Sequence, residues 1–476
     1  MLISRPVQIL ACVAVLLFGA GCRTYNEKNT GAAPWKAGNA EAAAAEFTKT
    51  AESNRDNKDT VIWRLEQGYA LHATAKFADS LKAFQAAEDK IEQYDARAKV
   101  KLGNETGALL SNQANLPYEG RDYDRVLLNT YKALDYIALG QTDKARPELI
   151  RAYQRQQDAV ANNWKRIEKA QDDIQQAKEE QNGQAAAQSV ERARQDPQVS
   201  GALDSHFKQL DTLKAYADYV NPFPVYLDGI YFMHLAADAS DKERARKSFE
   251  RVLGLSGDNP YIRRDLGNAE KVVWGQPAPA MTYVVFETGS APWRNQFRID
   301  LPLFFIGDGN VPYVGAAFPT LELEGSYVSG LTATTALGAS TTVTLSSMDS
   351  VVGQDFKNEL PSIITKTLLS TTMKAVGAYA VNKAASDQTP LGGLLAKVVT
   401  GVMQAVVNIA DTRTWTTLPK EYQFCSFPTP ADRKIDLSLP NGQRSSLSVE
   451  PDSVNLIWVR SVHPGAPLIV QTTRLK

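Results

Sequence analysis

Cysteine and histidine are scarce in this chain, and their scarcity removes whole classes of chemistry. Among 476 residues there are three cysteines and four histidines. Metal sites built on these residues need clusters at short spacing. His72, His206, His234 and His463 stand far apart, and none forms an HxH, HExxH or His/Cys pair. No metal and no cofactor are expected. A surplus of one charge is lacking too: 52 basic residues face 53 acidic ones, so no nucleic-acid partner is implied. There is no phosphate-binding Walker loop, no GxGxxG after a strand and no GxSxG elbow. No nucleophile, base and orienting partner can be grouped. The expectation is a protein that is not an enzyme, with no catalytic residues and no small-molecule substrate identified.

What is present begins at the N-terminus. One basic residue, Arg5, precedes an apolar run over residues 7–20, which ends in Gly19-Ala20-Gly21-Cys22. That layout predicts a secretory signal over residues 1–21, because a membrane-spanning helix needs about 20 apolar residues. The Cys at the cut site resembles the lipobox of bacterial lipoproteins, with Gly19 where that pattern prefers Leu. Ordinary signal-peptidase cleavage after Gly21 meets the same small-residue rule. The lipobox resemblance implies acylation of Cys22, with residues 22–34 as a tether and the membrane as partner through the lipid anchor; two or three chains hold stably where one does not. Arg23 stands where enteric lipoproteins retained at the inner membrane carry Asp. The expected location is therefore the periplasmic side of the cell envelope, with the outer membrane favoured. Cys12 leaves with the signal and Cys22 is acylated, so no intrachain disulfide can form in the mature chain. Cys425, between Phe424 and Phe427, is expected to be a small buried hydrophobe.

Residues 35–275 are rich in Ala, Gln, Glu, Lys and Arg and predict a helical solenoid. Gly68, Leu71, Phe77, Ser80, Phe84 and Ala87 follow the offsets of a tetratricopeptide unit of about 34 residues. Partial echoes are Gly38/Ala43/Phe47, Gly140/Ala145/Leu149/Ala152 and Ala245/Phe249/Val252, the last closed by Asn259-Pro260. The alternative is a plain bundle with Ala at its contacts. Over about residues 147–195 a narrow stripe of Tyr153, Val160, Ile167 and Ile174, flanked by Trp164, predicts a coiled-coil hairpin projecting from the solenoid. It either meets a partner or folds back on the repeats. Pro222 and Pro224 predict a fixed corner.

Residues 280–476 shift toward Val, Thr, Phe and Gly and predict an α+β domain: a mostly antiparallel sheet with two inserted helices. Strands are expected at 283–287, 297–301, 312–318, 433–439, 454–460 and 468–472, with Pro440-Asn441-Gly442 joining the 433–439 and 454–460 strands. Residues 329–347 read as a mobile loop or weak strand. The helices are expected at 354–385 and 391–410. The second is apolar over about the length of a membrane span; it carries Lys397, which is costly inside a bilayer, and central packing against the sheet is the other reading.

Four segments, 118–127, 221–227, 286–289 and 411–419, together resemble a family of bacterial envelope lipoproteins with tetratricopeptide-like repeats to which no chemistry is assigned. The resemblance implies a cell-envelope role; genes of this kind lie beside small outer-membrane lipoproteins, including the type that activates peptidoglycan synthases. Asp411, Arg413 and Trp415 are the candidate interaction residues: they either bind a polar ligand or partner, or form an ion pair and a buried Trp that fix a corner. Glu287 near Gly289 is expected to cap a turn. The leading expectation is a membrane-anchored, non-catalytic scaffold with a place in envelope biogenesis, whose repeats present a concave groove to an unknown envelope protein. The alternative is an oligomeric pore or secretion component that uses residues 391–410.

Overall fold

The computed structural model describes residues 24–100, 113–179, 183–213, 216, 221–302, 313–388 and 409–476. Cys22 and residues 391–408 of the apolar stretch lie outside the described residues, so the acylation site and the pore alternative are not addressed by it. Helices occupy the N-terminal half: α1 (Tyr25–Lys28), α2 (Ala32–Lys36), α3 (Ala40–Ser53), α4 (Thr60–Ala73), α5 (Phe77–Val100), α6 (Asp122–Ala138), α7 (Thr142–Glu179), α8 (Gly183–Gln195), α9 (Pro197–Phe207), α10 (Pro222–His234), α11 (Ala239–Ser256) and α12 (Pro260–Val273). The C-terminal half holds β1 (Met281–Thr288), β2 (Trp293–Pro302), β3 (Tyr313–Glu322), β4 (Thr332–Thr335), β5 (Gly338–Thr341), β6 (Val343–Ser347), α13 (Met348–Gln388), β7 (Glu421–Pro428), β8 (Lys434–Ser438), β9 (Arg444–Ser448), β10 (Asn455–Ser461) and β11 (Ile469–Arg474). The chain is therefore α+β, a helical N-terminal region followed by sheets.

Local chemistry explains several helix starts. Asp196-Pro197, Asn221-Pro222 and Asn259-Pro260 each place a capping side chain before a proline at the first helical position. Asn221 Oδ1 accepts from Phe223 N at 3.0 Å, and Asn259 Oδ1 from Tyr261 N at 3.0 Å. Proline loses nothing there, because its missing N–H would have had no helical partner. Asn259-Pro260 thus opens α12 instead of closing the unit before it.

Small residues set how closely paired helices approach. A Cβ on Gly68 in α4 would sit 2.6 Å from the Phe84 ring of α5, and one on Gly229 in α10 would sit 2.8 Å from Phe249 of α11. Gly31, ahead of α2, meets Phe47 of α3 in the same way at 2.6 Å.

Three layers follow. The main sheet has strand order β11-β10-β1-β7-β6, with β1 parallel to β10 and every other pairing antiparallel. Its alternate side chains split cleanly between two cores. Tyr283, Val285, Tyr422, Phe424, Leu456 and Trp458 pack with the helices. Val284, Phe286, Cys425, Phe427, Ile457 and Val459 face the second sheet, of order β5-β4-β8-β9. A third cluster joins α8, the β2–β3 hairpin and α13 through Val190, Phe318, Leu368 and Met373.

Several expectations need correction. The stretch 22–34 is not a free tether from Thr24 onward: Tyr25 stacks on Trp63 with ring centroids 4.7 Å apart, and Asn26 Nδ2 donates to Arg294 O at 2.8 Å. Residues 329–347 take the strand alternative and not the mobile loop, as β4, β5 and β6; their Thr and Ser side chains bond across strands, as Thr332 does to Thr341. The strand at 434–438 turns back at Pro440-Asn441-Gly442 into β9, and not into the strand at 455–461. The hairpin α7–α8 takes the fold-back alternative: α7 packs along α6 and touches α10, with Arg155 bonded to Asn129 and Arg166 to Asp122, and both helices of the hairpin also pack against α13. Its buried stripe on α7 runs through Ala152, Gln156, Ala159 and Asn163, leaving Trp164 66% exposed. Cys425 is fully buried, and burial pushes its thiol up to about 12, as expected for an inert hydrophobe.

Candidate functional site

The segment 409–417 carries all three candidates. Arg413 is 4% exposed. Its Nε and Nη2 donate to the two Asp411 oxygens at 2.7 and 2.9 Å, and its Nη1 donates to Asp59 Oδ1 at 3.1 Å. Carbonyls of Leu116 and Gln113 take its remaining protons, and the guanidinium lies 5.4 Å from the Tyr118 ring centre. Burial pushes the Asp411 carboxyl up, but the charge and hydrogen bonds of Arg413, with Arg121 and Arg294 behind, outweigh it and hold the group at about 2. Trp415 is fully buried, donates to Thr417 Oγ1 at 2.9 Å, and stands among Tyr69, Phe84 and Tyr131. Asp411 and Arg413 therefore share one site, while Trp415 belongs to the interhelical core. Most of this chemistry is the corner-fixing kind.

The joint continues inward through buried acids. Glu66 accepts from Tyr25 OH at 2.7 Å and from the Thr416 and Thr417 backbone N–H groups at 2.7 and 3.1 Å. Glu287 caps no turn. It accepts from Tyr69 OH, and from Tyr131 OH at 2.9 Å, inside the contact between helices and sheet. His72, Asp135 and Ser80 form a buried triplet with no catalytic order: both His72 Nδ1 and Ser80 Oγ bond to Asp135, each at 2.6 Å, so the hydroxyl never meets the imidazole.

Asp411 and Arg413 also line the rim of a cleft of about 380 Å³. One wall is α7 with Arg166, Ile167, Lys169, Ala170 and Asp173; the other is α13 from Glu359 to Lys374. Ala317 and Pro319 of β3 contribute between them. Fifteen residues of helix separate Glu359 from Lys374, a length of about 22 Å at 1.5 Å per residue.

The near end of this cleft is an ion network. Glu359 binds Arg121, and Arg294 Nη2 donates to it at 3.1 Å. Arg166 bridges Asp122 at 2.8 Å and Asp355 at 3.1 Å. Burial alone would raise the Glu359 carboxyl, yet the charges of Arg121, Arg294 and Arg166 together hold it at about 2. Midway along the α13 wall Lys366 pairs with Asp173 at 2.7 Å. Lys374, half-buried beside Ser370 and Thr371, has no carboxylate partner among the described residues, and burial pushes its ammonium down.

None of Arg121, Arg166, Arg294, Asp355, Glu359 or Lys374 was singled out from the sequence as a site residue. Arg121 lies in one of the segments that carried the family resemblance. The others come from three elements far apart in the chain, α7, β2 and α13, and no local spacing marks them. Among the described residues no group of His, Cys, Asp and Glu could hold a metal ion, and no helix is long and apolar enough to cross a membrane. Comparison with protein-family models, curated proteins and solved structures finds no match to this chain.

Proposed function

We propose that this protein is a lipid-anchored scaffold of the bacterial cell envelope, acylated at Cys22 and working by contact instead of catalysis. In this reading the helical half is a tetratricopeptide-like array, supported by the recurring glycine–phenylalanine contacts of Gly31/Phe47, Gly68/Phe84 and Gly229/Phe249. The array does not offer its inner groove to a partner. α4 and α10 are buried along nearly their whole length, with the main sheet covering their inward faces. A partner must therefore engage the outer surface. The observation that carries the scaffold reading is Trp164, 66% exposed on the long helix α7; large aromatics in solvent are the residues that interfaces most often bury as anchors.

The anchor would hold this body close to the bilayer. Only Arg23 separates Cys22 from Thr24, where the fold begins, a reach of about 7 Å at most. A photo-reactive amino acid at position 164, cross-linked in intact cells, is expected to trap one defined envelope protein; a return of no adduct across growth conditions sinks the scaffold reading. Carbonate extraction tests the tether separately. The native chain is expected to stay with membranes and Cys22→Ala to be released, whereas retention of Cys22→Ala excludes simple lipid tethering.

A further inference from the structure

The cleft between α7 and α13 is polarised along its length, and nothing in the scaffold reading uses it. At the near end the acids are paired with cations: Asp122, Asp355, Glu359, Asp411 and Asp59 face Arg121, Arg166, Arg294 and Arg413, four cations to five anions. Glu119 at that rim is exposed. The far end has the opposite balance. Lys374 stands there without a carboxylate among the described residues. Between the two ends Lys366 and Asp173 cancel as an ion pair and Lys169 lies at the α7 rim, while the rest of the walls is apolar or small: Ile167, Ala170, Ile363, Thr367 and Ala317.

We propose that this cleft binds an acyl anion, with the carboxylate at Lys374 and the hydroxyl-bearing Ser370–Thr371 step, and the hydrocarbon chain lying along Ile167, Ala170 and Ile363. Three observations converge on that class of ligand. The volume falls in the range of about 300–1,000 Å³ typical of small-molecule sites, which are largely apolar with few placed polar groups. The stretch from Ile363 to Lys374 is eleven helical residues, about 16 Å, which suits an extended chain rather than a compact polar metabolite. Lys374, whose ammonium burial pushes down and which has no carboxylate partner among the described residues, stands at one end of the cleft and not in the middle. A cationic amphiphile would place its charge on Lys374. One turned end for end would set its tail against the arginine network, whose groups would then lose water without gaining a partner. This inference does not depend on acylation of Cys22.

The test is calorimetric titration of the full chain, free of detergent, with three twelve-carbon probes below their micelle concentrations: dodecanoate, dodecanol and dodecyltrimethylammonium. Saturable one-to-one binding of dodecanoate is expected, with the cation binding at least about tenfold more weakly, the scale of one charge-assisted hydrogen bond. Lys374→Met keeps the apolar stem and is expected to weaken dodecanoate by about tenfold while leaving dodecanol unchanged. Thr367→Trp fills the middle of the cleft and is expected to weaken both. Far-UV circular dichroism and the melting temperature establish that each variant is folded. The proposal is overturned if folded Lys374→Met binds dodecanoate as the native chain does, or if the cation binds as tightly as the anion. It is also overturned if Lys374-dependent binding appears only on phosphatidylglycerol vesicles, because the group recognised is then a bilayer headgroup.

Discussion

Asp265 shows how far burial moves a single group in this protein. Its carboxyl is fully buried, accepts from Tyr226 OH at 2.7 Å and from Ser426 Oγ at 3.3 Å, and leaves Oδ1 without a hydrogen-bond partner among the described residues. Burial raises it from 3.8 to about 7, against the lowering pull of Tyr226, Arg264 and Ser426. The folded state therefore holds this proton more tightly than the unfolded chain does. Its stabilising effect is complete below about pH 4 and is lost as pH rises toward 7, at a total cost of about 4 kcal/mol. Asp265→Asn fixes the neutral form and keeps an acceptor for Tyr226. The melting temperature of Asp265→Asn relative to the native chain is expected to climb between pH 5 and pH 8; a difference that stays flat with pH refutes the assignment. Arg413 makes the opposite case, a charge whose partners need it. Arg413→Met strands Asp411 and Asp59 in the interior, and urea unfolding at pH 7 is expected to show a loss of about 3–5 kcal/mol. At this scale the sequence was informative about Asp411 and Arg413, since a carboxylate two residues from an arginine is visible as a pair. It was silent on Asp59, which lies 354 positions away from Arg413.

Among elements, the helix pairs were the most legible part, because small and aromatic residues at repeating offsets dictate close approach whatever surrounds them. Gly68 and Gly140 separate the two uses of glycine. Gly68 sits under the Phe84 ring, and a Cβ there would meet it at 2.6 Å; Gly140 has φ of +69° and open space around it. Gly68→Ala is expected to cost about 1–3 kcal/mol through overpacking, and Gly140→Ala about 1–2 kcal/mol through left-handed backbone strain alone. Thermal denaturation of both checks this, and combining Gly68→Ala with Phe84→Leu is expected to recover part of the first loss but none of the second. Strands were harder to read. β1 and β7 are buried on both faces, so neither shows the alternation that reveals a half-exposed strand. β7, flanked by β1 and β6 in the main sheet, was missed altogether for that reason. The short β4 and β5 were legible only as a weak strand or loop, and β9 was missed, for the converse reason: mostly Thr, Ser, Ala and Gly, they form strands only because a neighbouring strand is there to pair with.

For the whole molecule, the division into a helical unit and a sheet unit holds in composition but not in packing. One core runs through both halves, taking Trp63, Tyr69, Tyr131 and Tyr226 from the helices and Tyr283, Trp415, Tyr422 and Trp458 from the sheet side. Buried hydrogen bonds cross the same boundary at Glu66–Thr416 and Glu287–Tyr131. The native chain is expected to unfold in a single calorimetric transition. A fragment of residues 24–276 expressed alone is expected to bind a hydrophobic dye strongly and to lack a cooperative melt, because its inward aromatics lose their cover. Two separable transitions, or a fragment that melts cooperatively, would show two autonomous domains.

The residues by themselves determined the composition-level frame: few cysteines, helices paired through glycine and aromatic side chains, and a change of class near residue 280. These are local properties, set by spacing along the chain. Only the tertiary structure decided that the inner faces of α4 and α10 are spent on the protein's own sheet, that α7 and α13 wall a cleft, and that Lys374 stands there without a carboxylate partner among the described residues. Burial and charge pairing depend on which distant segments meet, and no periodicity within one segment encodes its partner.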